Sequence, residues 1–183
     1  MDLTTSRLIL RRWREADRSA FARLNDDPAV MEFMPRRLSR DESDATAARW
    51  AAAIETRGWG FWAVEVKGSG AANAGVPFIG VVGLSVPSFQ AHFTPCVEIG
   101  WRLAKEHWGR GYASEAAAAS LRFAFDHLKL QQIVAFTVPL NKRSMRVMER
   151  IGMSRDPADD FEHPNLAPGH PLRPHVLYRV NRT

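Results

Sequence analysis

Apolar residues recur every three or four positions in four stretches of the chain, which predicts four helices. The second of them has Ser39 at its start with Glu42 three residues later, the pattern of a capping box, and Gly58 at its end. The fourth begins after Asn141, a favoured N-cap residue, and ends at Gly152. The predicted helices lie at 14–27, within 35–58, at about 113–129 and at 141–152.

Other stretches alternate between apolar and polar residues, or are rich in β-branched and aromatic residues, and these predict strands. The strands at 59–66 and 78–86 are expected to form a hairpin across the small-residue loop at 68–77. Because helices and strands interleave but a hairpin also occurs, we expect one mixed-sheet α/β domain spanning 1–183. The predicted strands lie at 7–13, 59–66, 78–86, 96–104, 132–139 and around 175–180.

Composition narrows the class of protein. A chain of 183 residues with 45% hydrophobic content can build one real core. The stretch "MDLTTSRLILRRW" resembles no signal peptide, and no run is long and apolar enough to span a membrane. A single cysteine, Cys96, excludes an internal disulfide and fits a reducing compartment, so we expect a cytoplasmic protein without a membrane partner.

The net charge of +5 favours an anionic partner. The basic residues form no stripe, so we expect no dedicated nucleic-acid site. The six histidines show no metal-binding spacing, so we expect no metal. Three of them, His163, His170 and His175, lie in a proline-rich tail, and the same tail contains acidic residues. The acids that could attract a cationic amine are Asp26, Asp27, Asp159, Asp160 and Glu162.

One turn is a candidate for anion binding. Gly109 and Gly111 flank Arg110 directly before an alanine-rich helix, and a glycine turn at a helix N-terminus presents unpaired amides to an anion. Tyr112-Ala113 replaces the Lys-Ser or Lys-Thr pair of a phosphate-binding P-loop, and Ser114 replaces the third glycine of a dinucleotide fingerprint. From the residues alone, the turn is either such a site or a simple helix entry.

The order of parts around this turn resembles the GNAT superfamily of acetyl-CoA-dependent N-acetyltransferases. The strand "CVEIGWRLA", the turn "HWGRGYASEA", the strand "IVAFTV" and the segment "NKRSMRVMERIGM" carry the resemblance, which is most similar to the RimJ/RimL-like branch of ribosomal-protein N-terminal acetyltransferases. The signature turn, Arg/Gln-x-x-Gly-x-Gly/Ala, falls on Trp108–Ala113, with tryptophan as a departure at its first position.

The resemblance implies a mostly antiparallel central sheet flanked by helices, with a V-shaped splay between the strands at 96–104 and 132–139. It implies that the turn amides hold the pyrophosphate of coenzyme A and that the pantetheine arm adds to the strand at 96–104. Asn141 and Ser144 are alternatively an ordinary N-cap and a helix-surface hydroxyl. The implied cofactor-binding residues are Trp101, Leu103, Ala104, Trp108, Gly109, Arg110, Gly111, Tyr112, Ala113, Ser114, Asn141 and Ser144.

Acetyl transfer to an amine requires a base that takes the amine proton. The resemblance places Glu98 there, and a half-buried glutamate has a raised pKa that suits this role. A strand-face ion pair with Arg102 and a water-relayed base are the alternatives. We expect Ser144 to protonate the departing thiolate. Other branches use a tyrosine for this step, and this sequence departs from them, because neither Tyr112 nor Tyr178 occupies that position.

The expected function is therefore direct transfer from acetyl-CoA to a primary amine, either a small amine or a ribosomal or other protein N-terminus, by a monomer or homodimer. Two other classes stay open. A catalytically silent acyl-CoA-binding module would keep the turn without releasing thiol. An RNA- or ribosome-associated protein would bind RNA with a steep salt dependence.

Overall fold

The computed structural model describes residues 1–68 and 78–182, which form nine strands and four α-helices. The predicted loop at 68–77 lies, except for Gly68, outside the described residues. The helices are α1 (Asp17–Asp26), α2 (Arg40–Arg57), α3 (Tyr112–Asp126) and α4 (Lys142–Arg150). The strands are β1 (Leu3–Thr4), β2 (Leu8–Arg11), β3 (Phe61–Val66), β4 (Phe78–Ser85), β5 (Glu98–Leu103), β6 (Gln132–Thr137), β7 (Ser154–Arg155), β8 (Phe161–Glu162) and β9 (Pro174–Asn181).

The strands form one sheet in the order β1-β2-β3-β4-β5-β6-β9-β7, with β8 paired to β9. Every neighbouring pair is antiparallel except β5 and β6, which are parallel. The hairpin of β3 and β4 and the mostly antiparallel mixed sheet confirm the predicted fold class. The parallel pair meets at one register position, Glu98 opposite Val134, and the Val134 amide donates to the Val97 carbonyl at 3.0 Å. Beyond this point the two strands diverge, as expected.

Local signals account for most helix ends. Ser39 accepts from the Glu42 amide and Glu42 accepts from the Ser39 amide, so the capping box before α2 is present. Gly58 ends α2 in the left-handed region, with φ 80°. Helix α3 ends three residues earlier than predicted, because Lys129 takes a φ of 57° and the Leu130 amide turns back to the Ala124 carbonyl. In the described residues no helix is long and apolar enough to cross a bilayer.

Helices cover both faces of the sheet. The adjacent β4 residues Val81 and Val82 belong to different apolar clusters, as opposite faces of a strand require. Val82 joins the large cluster that includes Leu121 of α3, and Val81 joins the cluster of Phe21 from α1 and Ala47 from α2. Two helical layers therefore hold the sheet from either side, with α3 behind the divergence of β5 and β6.

A buried ionic group joins α1 to the sheet. Arg11 on β2 donates two hydrogen bonds to Asp17, at 2.7 and 2.8 Å, and one to Glu65 on β3 at 2.5 Å. All three side chains are at most 4% exposed. Two buried carboxylates therefore share the buried guanidinium of Arg11, and the mostly exposed Arg14 adds a longer contact to Glu65 at 3.3 Å.

We predict that Arg11→Met lowers the free energy of unfolding by about 3–5 kcal/mol, since it removes the buried cation from Asp17 and leaves Glu65 with the longer contact to Arg14. Urea unfolding at neutral pH measures the loss. The neighbouring Arg12 is exposed, and Arg12→Met is the matched control, with an expected change within about 0.5 kcal/mol. Equal effects of the two substitutions would contradict the assigned role of Arg11.

Candidate active site

The divergence of β5 and β6 opens a cavity of about 470 Å³. Its walls come from β5, from the end of β6, from α4, from the start of α3 and from the segment 29–34 after α1. Many of the residues implied to bind the cofactor meet there, although they come from separate parts of the sequence. Those that line it are Trp101, Leu103, Trp108, Gly109, Gly111, Tyr112, Ala113, Ser114, Asn141 and Ser144.

The turn before α3 presents its backbone amides to this cavity. Gly109 and Gly111 have φ values of 73° and 78°, a region that side chains with a Cβ rarely adopt. Gly111 is the N-cap of α3 and provides no side-chain cap. Within the part of the chain that the structure describes, the amides from Gly109 to Ser114 donate to no protein acceptor. Six donors at the positive end of a helix dipole form a site for an anion.

Glu115 connects this turn to the start of the chain. Its carboxylate accepts from the Thr5 hydroxyl at 2.6 Å, from the Arg7 amide at 2.9 Å and from Arg7 Nε at 2.6 Å. Arg7 Nη1 also donates to the Arg110 carbonyl at 3.0 Å. Burial alone raises the pKa of Glu115, but the hydrogen bonds from Thr5 and Arg7 outweigh it and lower the pKa to about 2. This contact could not be predicted from the sequence, because nothing in a single sequence pairs positions 108 residues apart.

On the α4 side of the cavity, a chain of hydrogen bonds joins residues of β5, the start of α4 and the end of β6. Trp101 Nε1 donates to Ser144 Oγ at 3.0 Å, and the Ser144 amide donates to Asn141 Oδ1 at 3.2 Å. Asn141 Nδ2 donates to the Thr137 hydroxyl at 3.1 Å. Asn141 thus caps α4, as its type predicts, and it also lines the cavity. Ser144 accepts from Trp101, so its own hydroxyl hydrogen is free to be donated.

Glu98 lies at the closed end of the divergence, where β5 and β6 still pair. It accepts from Ser85 Oγ at 2.5 Å and makes no ion pair with Arg102 in the described residues. Burial raises the pKa of Glu98, and the hydrogen bond from Ser85 opposes that shift. Its neighbours Ile99 and Gly100 line the cavity, but Glu98 itself does not.

Two other predicted cofactor residues also lie outside the cavity lining. Ala104 packs against the cluster on the α1 side, and Arg110 is exposed. Conversely, His107 lines the cavity, which the sequence did not indicate. Its Nδ1 atom is buried and has no hydrogen-bond partner in the described residues, and burial lowers the pKa of His107. Three arginines of α4 also line the cavity and were not predicted as site residues, although they recur along the helix in the sequence: Arg143, Arg146 and Arg150.

The acidic residues proposed to attract an amine are mostly paired with arginines instead. Asp159 binds Arg179 at 2.6 Å, and Asp160 binds Arg155. Glu162 binds Arg173 at 2.5 Å, and Asp26 binds Arg37 at 3.2 Å. Asp27 accepts from the Ala29 amide at 2.7 Å. In the described residues, none of these five lines the cavity.

A family model matches residues 7–154, and its description is acetyltransferase (GNAT) domain. Two Bacillus subtilis (strain 168) proteins align with most of the chain. The uncharacterized protein YkkB is 35% identical over 154 residues, which cover 82% of this chain and 84% of YkkB. The uncharacterized N-acetyltransferase YnaD is 32% identical over 160 residues, which cover 85% of this chain and 84% of YnaD.

Solved structures agree in fold. An acetyltransferase (GNAT family) from Bacillus anthracis has a TM-score of 0.79 at 24% identity, covering 100% of this chain and 99% of that one. Ribosomal-protein-S5-alanine acetyltransferase from Vibrio fischeri has a TM-score of 0.75 at 15% identity, with 100% and 97% covered. Spermidine N-acetyltransferase from Vibrio cholerae, in complex with CoA and spermine, has a TM-score of 0.72 at 19% identity, with 97% of each chain covered. The family match over most of the chain, together with relatives above 30% identity, shows that this chain belongs to the GNAT acetyltransferase family.

Proposed function

We propose that this protein transfers the acetyl group of acetyl-CoA to a primary amine while both substrates are bound together. Membership of the GNAT family supports acyl transfer from acetyl-CoA. The observation that carries the proposal is the run of amides from Gly109 to Ser114, which donate to no protein acceptor in the described residues and of which all but Arg110 belong to residues lining the cavity. In this proposal those amides hold the pyrophosphate, and the pantetheine arm lies along β5, whose edge the divergence leaves open.

The reaction forms a C–N bond and breaks the C–S bond of the thioester. The amine must lose a proton and the departing thiolate must gain one. We assign the first role to Glu98, acting directly or through a water because it does not line the cavity, and its raised pKa favours proton acceptance near neutral pH. We assign the second to Ser144, whose hydroxyl hydrogen is free while Trp101 donates to its oxygen.

The acceptor is proposed to be a small amine or a protein N-terminus. A RimJ/RimL-like role on a ribosomal protein rests on the sequence resemblance. The ribosomal-protein-S5-alanine acetyltransferase from Vibrio fischeri supports only the shared fold, at 15% identity. We place the enzyme in the cytoplasm because a single cysteine, Cys96, fits a reducing compartment. Burial raises the pKa of that thiol to about 11, so Cys96 is unsuited to serve as a nucleophile.

We predict that Gly111→Ala weakens acetyl-CoA binding about tenfold, because the left-handed backbone costs an alanine about 1–2 kcal/mol and the amides shift to relieve it. Isothermal titration calorimetry with acetyl-CoA measures the affinity. Gly58→Ala carries the same backbone cost at a φ of 80° but lies at the end of α2, so its affinity should stay within about twofold of wild type. A wild-type protein that binds no acetyl-CoA would refute the proposed function.

We predict that Glu98→Gln lowers kcat/KM by about 10²–10⁴, the usual contribution of a positioned base. In the wild type, kcat/KM should rise with pH as Glu98 loses its proton, with a midpoint above the ordinary glutamate pKa of 4.5. The variant should lack that rise. Thiol release from acetyl-CoA, with peptides and small amines as acceptors, measures both.

The exposed Glu55 on α2 supplies the control, and Glu55→Gln should leave the pH profile unchanged. Full activity of Glu98→Gln between about pH 6 and 9 would remove Glu98 as the base while leaving acetyl transfer intact. Tight acetyl-CoA binding without thiol release for any amine would instead favour the silent acyl-CoA-binding module. Salt-sensitive RNA binding without acetyl-CoA binding would favour the RNA-associated alternative.

A further inference from the structure

One wall of the cavity carries a guanidinium with no carboxylate beside it. Arg102 of β5 lines the cavity together with the segment 29–34. Within residues 1–68 and 78–182 it makes no ion pair, and its side-chain contacts are Asn25 Oδ1 at 2.5 Å and Met34 Sδ at 3.8 Å. A guanidinium has five N–H donors, so these two contacts leave donors available to a ligand.

Other partly or fully buried arginines in this protein have carboxylate partners. Arg11, Arg173 and Arg179 each lie within ion-pair distance of a carboxylate. Burial lowers the pKa of Arg102 to about 10, with no neighbouring acid to oppose the shift. Arg102 therefore still carries its charge at neutral pH, and a ligand anion can supply the partner that this half-buried charge lacks within the described residues.

A neutral side chain positions Arg102. Asn25 is fully buried, and its Nδ2 donates to Ser43 Oγ at 3.1 Å, where Ser43 is also fully buried. That bond fixes the amide so that Oδ1 faces the guanidinium of Arg102. An aspartate at this position would neutralise Arg102, whereas asparagine orients it and leaves its charge uncompensated.

Arg102 differs in its surroundings from the arginine that lies over Trp108. Trp101 and Arg102 are adjacent on β5 and point to opposite faces: Trp101 donates to Ser144 of α4, and Arg102 donates to Asn25 of α1. Arg143 of α4 sits 4.5 Å above the Trp108 ring and pairs with Glu32 at 2.8 Å. Arg102 thus lies on the other face of β5 from the Trp101–Ser144 contact and, unlike Arg143, has no carboxylate partner in the described residues.

The charged side chains that line the cavity are cationic. In the described part of the chain no aspartate or glutamate lines it, while four arginines do. An acceptor with several amines would need carboxylates to bind its additional positive charges, and this wall offers Arg102 instead. The charge pattern is suited to an acceptor that brings its own negative charge.

We propose that Arg102 binds a carboxylate of the acceptor, so that the substrate class is an amine bearing a carboxylate and not a polyamine. The proposal rests on the N-acetyltransferase function proposed above and specifies its acceptor. A guanidinium and a carboxylate can form two parallel charge-assisted hydrogen bonds, which fix the orientation of the acceptor as well as its affinity. Asn25 and Ser43 act as positioning residues for Arg102.

The test uses matched acceptors that carry either a carboxylate or an uncharged carboxamide, with rates expressed per concentration of neutral amine because the two groups give the amine different pKa values. Glycine, β-alanine and 4-aminobutanoate are each compared with the corresponding carboxamide, with spermidine as a polyamine, and thiol release gives kcat/KM. Wild type should prefer the carboxylate in at least one pair by about 10- to 100-fold, the range of a hydrogen bond to a charged group. The acceptor whose carboxylate form is most strongly preferred over its amide indicates the spacing between amine and carboxylate that the site requires.

Three variants separate a binding role from a structural one. Arg102→Gln should bring the carboxylate-to-amide ratio close to one by raising KM for the carboxylates while leaving the amides unchanged. Asn25→Asp should lower the same ratio with Arg102 still present, because it supplies an internal carboxylate. Arg122→Gln, at an exposed position of α3, is the matched control and should keep the wild-type ratio. Calorimetry with the N-acetylated carboxylates and amides, added to the CoA-bound protein, measures the same preference without turnover.

The outcomes distinguish this inference from the proposed function. If wild type binds acetyl-CoA but no carboxylate reacts or binds better than its amide, or if spermidine is preferred, the assignment of Arg102 is overturned and acetyl transfer is untouched. A ratio that Arg102→Gln and Asn25→Asp both leave at the wild-type value also overturns it. If wild type binds no acetyl-CoA, the proposed function itself fails.

Discussion

The site depends on one constraint, the divergence of β5 and β6 after a single paired position. Where Glu98 lies opposite Val134 the two strands still form one sheet, and Ile99 of β5 and Ile133 of β6 belong to the same hydrophobic cluster. Beyond that position each strand has an unpaired edge, and the space between the edges is the cavity. A fully paired sheet would satisfy these backbone groups internally and leave no place for an extended ligand.

The electrostatics of the cavity follow from how the surrounding charges are paired. Most acidic side chains that could have reached it are bound to arginines elsewhere, as Asp159 is to Arg179 and Asp160 to Arg155. What remains at the cavity is positive: the amides before α3, the arginines of α4 and Arg102. The basic composition of the chain thus has a local expression, a cleft lined by arginines, in place of a stripe along the surface.

The parts of the fold that could be predicted from sequence are those set by local chemistry. The capping box at Ser39, the left-handed Gly58, the hairpin of β3 and β4 and the Gly-Arg-Gly turn each depend on residues close together in the chain. The contacts that could not be predicted join distant positions, as Glu115 with Arg7 and Arg102 with Asn25 do. The suggested Glu98–Arg102 pair illustrates the limit, because strand alternation placed both on one face correctly but could not show that Ser85 and Asn25 were nearer.

The contacts of Glu115 have a consequence for how the molecule acquires its binding site. Thr5 and Glu115 are 110 positions apart, so this contact cannot form before α3 is in place, whereas β2 can pair with β3 without it. Contacts of such long range are slow to form, because the two ends of a long segment must be brought together. The contacts that join Glu115 to Thr5 and Arg7 therefore depend on α3 and the N-terminal strands together. A ligand that binds only the folded turn stabilises the whole fold, by a free energy that rises with the logarithm of the ligand concentration divided by Kd.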